Sequence, residues 1–184
     1  MTTEPAPEPD APIPDEKDWT WVLDRPCPEC GFEATDLTRT DIAPLIRTQA
    51  QAWQTMLASD ADLHTRPSPR SWSRLELACH VRDVYALYDY RLGLMLDEDD
   101  PLYPNWDQDE TAIEQRYHEQ DPAAVGPALV AAAAELADRF AGLTEAQWTR
   151  PGRRSDGASF TVDSFARYLV HDPQHHLWDA AGCP

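Results

Sequence analysis

At 184 residues the chain is long enough for one domain with a real core and too short for two. Its hydrophobic share of 42% is that of a globular protein, and its formal net charge is -18, from 33 acidic and 15 basic side chains. That balance argues against nucleic acid, whose phosphates demand clustered Lys and Arg, and against an anionic membrane surface.

Residues 1–18, MTTEPAPEPDAPIPDEKD, alternate proline with acid and show no periodic apolar face, so they read as a disordered tail. They lack the basic and apolar regions of a signal peptide, and no apolar run approaches the roughly 20 residues of a membrane span. The expected location is the cytoplasm, where the four cysteines stay reduced and metal binding or burial is a better reading than disulfides. Residues 19–36, with Trp19, Trp21 and a CPECG turn, are expected to form an ordered arm on the domain.

Residues 37–184 carry the helical pattern. Apolar residues recur at 3.6-residue spacing from Thr40 to Leu57, with Thr40 or Asp41 as cap. After the proline-rich ADLHTRPSPRS, a second helix is predicted from about Ser71 to Leu96, its inward stripe Leu77, His80, Val84, Leu87, Arg91 and Leu94. DEDDPLYPNW cannot be helical throughout, and a short helix is predicted over Asp109–His118. A third long helix begins at Asp121-Pro122, a capping residue followed by a first-turn proline. The loop TEAQWTRPGRRSDGAS leads to a last helix at Thr161, with the stripe Ser164, Tyr168, His171, His175 and Trp178. No strand is predicted, so the chain reads as an all-α four-helix bundle.

His171 and His175 are four residues apart, which stacks their rings on one helical face within reach of one ion. A third ligand must come from elsewhere, and His80 on the inward stripe of the second helix is the candidate. Each histidine could instead be a buried, hydrogen-bonded core residue. Three imidazoles suit zinc, nickel, copper or iron and leave positions open for water or substrate. Pro173, between the two histidines, is expected to kink the helix. His176 points about 100° away from His175 and falls outside this ligand set.

RPSPRSWSRLELACHVRDV and YLVHDPQHHLWD, with WS…E…HxxD in the first and HDxxH in the second, resemble the DinB superfamily of four-helix metalloproteins over roughly residues 35 to 182. The resemblance implies that His80, His171 and His175 hold one divalent ion, zinc or nickel. It also implies an up-down-down-up bundle with a long connection between the second and third helices, which Asp97–Asp121 fits. It further implies a thiol-dependent enzyme, first a mycothiol S-transferase that conjugates or detoxifies small electrophiles. The alternatives are a thiol-dependent isomerase, a hydrolase using ion-activated water, or a non-catalytic metal-binding stress protein. Such bundles often pair, so a homodimer is open.

On this reading the ion turns a thiol into a thiolate at neutral pH. Asp83 and Asp172 are expected to orient imidazoles from outside the ligand set. Arg153 and Arg154 in the basic RPGRR, with Arg82, are candidates to receive the thiol, against a bland reading as surface ion pairs. Cys27 and Cys30 form half of a zinc-knuckle pattern whose second half is not evident, so they stand between a second metal or redox pair and a tight turn with reduced thiols.

Overall fold

The computed structural model describes residues 18–59, 61–68 and 71–182. The tail expected over residues 1–18 lies, apart from Asp18, outside the described residues, as does Cys183.

Five α-helices carry the fold: α1 (Arg39–Leu57), α2 (Arg74–Asp97), a short α3 (Gln108–Glu114), α4 (Pro122–Ala141) and α5 (Val162–Ala180). The starts follow from capping chemistry. Ser73 Oγ accepts the Glu76 N–H while the Glu76 carboxylate accepts the Ser73 N–H, and Asp121 caps α4 ahead of Pro122. The four long helices make the bundle. α4 packs along α1 and α2, α5 meets the same two, and α1 scarcely touches α2 although they are consecutive. The order around the bundle is therefore α1, α4, α2, α5, which requires the long connection from α2 to α4 that holds α3.

The predicted stripe of α1 is the buried one, with Ile42, Ile46, Gln49, Trp53 and Leu57 turned inward. Fully burying each large apolar side chain of this kind stabilises the fold by about 1.5–3 kcal/mol before entropy is counted. In α5 the expectation is corrected. The core takes Val162, Phe165, Ala166, Leu169, Val170 and Pro173, while Ser164, Tyr168 and Trp178 of the expected stripe are only half buried. The helix also runs through Pro173. Gln49 donates to the Val170 carbonyl at 2.8 Å and Trp53 Nε1 to the Pro173 carbonyl at 3.3 Å, so α1 braces the helix backbone on the turn that contains the proline.

Three short strands, none predicted, form a small sheet: β1 (Leu102–Tyr103), β2 (Pro151–Arg154) and β3 (Ser159–Thr161). β1 lies parallel to β2, with Leu102 opposite Arg153, and β3 lies antiparallel to it, with Gly152 opposite Phe160. The basic RPGRR is thus a central strand rather than a loop. Gly152 is required there, because a Cβ would stand 2.7 Å from Cγ of the buried Met95 on α2.

The segment 19–36 packs on the bundle. Val22, Cys27 and Ala34 are fully or almost fully buried, and two short 3-10 turns pack it on α5. Among the described residues no helix is long and apolar enough to cross a membrane.

Candidate metal centre

α5 presents two pairs with four-residue spacing, offset by one position: His171 with His175, and Asp172 with His176. One residue turns a helix by about 100°, so the pairs face different neighbours. Asp172 and His176 meet His80 of α2, with one ligand atom from each of the three within 4.8 Å of the others. His171 and His175 meet Cys27 and Cys30 of the arm under the same distance limit. The expected His80–His171–His175 trio is thus divided between two clusters. The histidine count favoured the pair at 171 and 175, although a carboxylate at 172 is an equally good ligand for a hard or borderline ion.

In the first cluster His80 Nε2 lies 3.4 Å from Asp172 Oδ2, and His176 Nε2 lies 3.8 Å from the same oxygen. His80 is fully buried, stacked on Trp106 at 5.4 Å and 8° and tilted against Trp72 at 5.1 Å. Trp106 is itself fixed by donating from Nε1 to the Thr111 hydroxyl at 2.7 Å. Burial works to raise the Asp172 carboxyl, but the adjacent His80 and His176 outweigh it and hold it at about 2. A carboxylate and two imidazoles are the donor set of catalytic zinc and of other first-row ions, with positions left for water or substrate. The fit shows in that donor set and in one orphaned oxygen: Asp172 Oδ1 is buried and finds no hydrogen-bond partner among the described residues, a costly arrangement unless something polar or cationic binds. His80 Nδ1 is buried without a partner as well, on the side of the ring away from the Nε2 that faces Asp172.

Both clusters line one cavity of about 960 Å³. Arg91 and Arg154 line it as well. Arg91 is 3% exposed, donates to the Pro104 carbonyl at 2.8 Å and lies 5.0 Å over the Tyr103 ring. No carboxylate among the described residues pairs with it, and burial lowers its hold on the proton without neutralising a guanidinium. Burial also works to lower Arg154, but its bonds to Asp156, at 2.8 Å, and to Tyr168 outweigh that and raise it.

The other expected residues fall as follows. Arg154 lines the cavity, whereas Arg153 pairs with Asp100 at 2.9 Å outside it, because alternate residues of β2 face opposite ways. Arg82 is held by Asp83 and Gln120, at 2.7 Å each, also outside the cavity. Asp83 accepts from Arg82 and from the Tyr117 hydroxyl, so it braces the connection to α4. Asp172 lies within the first cluster, beside His80 and His176. His176, placed outside the ligand set by the sequence, is inside the first cluster; the four-residue spacing of Asp172 and His176 was the available signal.

The four-helix bundle thus carries a candidate metal-binding cluster of two histidines and a carboxylate that opens on a cavity. A family model described as the DinB superfamily matches residues 45–180, and the chain belongs to that superfamily. Its fold is similar to that of YfiT from Bacillus subtilis, described as a probable metal-dependent hydrolase with an unusual four-helix bundle topology. The two share 17% identity with a TM-score of 0.67, over 76% of this chain and 82% of that one. No curated protein matches the chain.

Proposed function

We propose that the chain is a metal-dependent enzyme that activates a small thiol for attack on an electrophile, with zinc or nickel held by His80, Asp172 and His176. The observation that carries the reading is the position of this cluster on the wall of a large cavity that is also lined by the buried Arg91 and the half-buried Arg154. A divalent ion bound there supplies Lewis acidity that lowers the pKa of a thiol or water.

The chain's own residues do the rest. Trp72 and Trp106 enclose the His80 ring and keep bulk water off that side of the centre. Arg91 and Arg154 offer fixed positive charge to a carboxylate or the hydroxyl-rich end of a thiol such as mycothiol. In the transfer the thiol loses its proton to solvent, sulfur bonds to the electrophilic carbon, and the carbon's bond to its leaving group breaks. A non-catalytic stress protein would be served better by a closed site than by three ligands over a cavity. Hydrolysis is the second reading, favoured by the polar, water-accessible cavity and by the description of YfiT.

The test is to strip the purified chain, refill it with zinc or nickel, and follow conjugation of monochlorobimane with mycothiol, bacillithiol and glutathione. Metal-dependent conjugation that disappears in His80→Ala and Asp172→Ala supports thiol transfer. Metal-dependent ester cleavage with no need for thiol replaces it with hydrolysis, and metal binding with neither activity overturns both.

A further inference from the structure

The second cluster joins two segments far apart in sequence. Cys27 Sγ lies 3.7 Å from His175 Nδ1, and Cys27, Cys30, His171 and His175 each place a ligand atom within 4.8 Å of all the others. We propose that these four side chains form a separate, closed zinc site that fastens the N-terminal arm to α5.

The geometry is that of a zinc knuckle completed by a helix. Zinc–sulfur and zinc–nitrogen distances of about 2.3 and 2.0–2.1 Å set tetrahedral edges of about 3.3–3.8 Å, and the measured Cys27–His175 edge falls in that range. The Cys27–Gly31 loop has the turn such sites use. Gly31 takes a φ of +72°, its N–H donates to the Cys27 carbonyl at 2.9 Å, and the Cys27 N–H donates to the Phe32 carbonyl at 2.8 Å. Glu29, between the two cysteines, places Oε2 3.3 Å from Nε2 of His175. The loop therefore brings two sulfur ligands and a carboxylate that orients one of the imidazoles.

The surroundings point to a structural rather than a reactive ion. Cys27, His171 and His175 are 1%, 4% and 8% exposed, and Trp19 covers both rings at 5.4 and 4.9 Å. The cysteines are free rather than joined as a disulfide. Zinc binding would release both thiol protons to solvent, and a dication with two thiolates is neutral overall, which suits this burial. Four protein ligands close the coordination sphere, in contrast to the three-ligand cluster beside it. The arm lies outside the stretch matched by the superfamily model, so the two cysteines are an addition to the bundle's own histidines. Because Asp18 and Trp19 line the cavity, the ion would also hold one of its walls in place.

The test is zinc-edge X-ray absorption, with metal stoichiometry, on the full chain purified under reducing conditions. Sulfur neighbours at about 2.3 Å are expected in the native chain. In Cys27→Ser/Cys30→Ser the sulfur shell is lost with one of two bound ions; in His80→Ala/His176→Ala it is retained while the other ion is lost. A native chain filled with zinc but showing only nitrogen and oxygen neighbours overturns the proposal, and so does a sulfur shell that survives the double serine change. Should the serine variant fail to fold, the native spectrum decides alone. Neither reading depends on activity, so this site and the proposed enzyme stand or fall separately.

Discussion

Asp179 Oδ2 lies 3.0 Å from Nδ1 of His176, while Nε2 of the same ring faces Asp172 at 3.8 Å. The ring is held by one carboxylate and presents its other nitrogen to the cluster, the usual way an imidazole ligand is oriented and kept basic. Asp179→Asn removes the orienting charge without touching the cluster. Its expected effect is a loss of about 10–100-fold in affinity at the His80–Asp172–His176 centre, read by competition with a chromophoric chelator. Unchanged affinity would show that Asp179 does not position the ring.

The stacking of Trp106 on His80 gives an optical handle on the same centre. Cobalt added to the metal-free chain is expected to quench tryptophan fluorescence, and Trp106→Phe to remove a large part of that quenching. Quenching that survives His80→Ala/His176→Ala undiminished would assign the signal to Trp19, over the other cluster.

Arg66 pairs with Glu76 at 2.5 Å, and Glu76 is 2% exposed at the start of α2. Burial works to raise the Glu76 carboxyl, but Arg66 and the Ser73 amide outweigh it and hold it below the usual range. Arg66→Met would leave a buried carboxylate with only its cap. A loss of about 2–3 kcal/mol at neutral pH is expected, less than for a fully buried pair because Arg66 is partly exposed. A depressed folded-state pKa contributes stability above the unfolded value of about 4.3 and loses it as pH falls through the folded value. The gap between variant and native chain in urea denaturation should therefore narrow below about pH 4; a constant gap would mean that the ion pair is not its source.

Gly152→Ala places a methyl 2.7 Å from Cγ and 3.0 Å from Sδ and Cε of Met95. The far atoms can swing aside, but Cγ is tied to the backbone of α2. A destabilisation of about 1–3 kcal/mol is expected from thermal melting, and it should largely vanish in a Met95→Ala background. Full additivity of the two changes would refute the contact.

The helices were legible because each carries its own signals: Ser73 with Glu76, Asp121 with Pro122, and the spacing of Ile42, Ile46, Trp53 and Leu57. The strands were not, since β1 has two residues and β2 opens on Pro151, and the sheet exists only because the fold brings Leu102 beside Arg153. His80 stood out as a polar residue on an apolar stripe. Asp172 stood out beside His171 but reads from sequence as a carboxylate that orients an imidazole, because the pairing of positions 172 and 176 shows only in the fold. The partners of Cys27 were hidden because His175 is 148 positions away.

Residues 171–176 of α5 behave like a reading frame for the two proposed metal sites. Inserting one residue earlier in the helix would advance every later side chain by about 100°. His171 and His175 would move into the places of Asp172 and His176, giving an all-imidazole centre beside His80, while the cysteines would face Val170 and Gln174. Removing one residue would bring Pro173 and Leu177 beside His80 and leave Asp172 and His176 with the arm. The length of this helix upstream of His171 is thus as much a part of the ligand code as the ligands themselves.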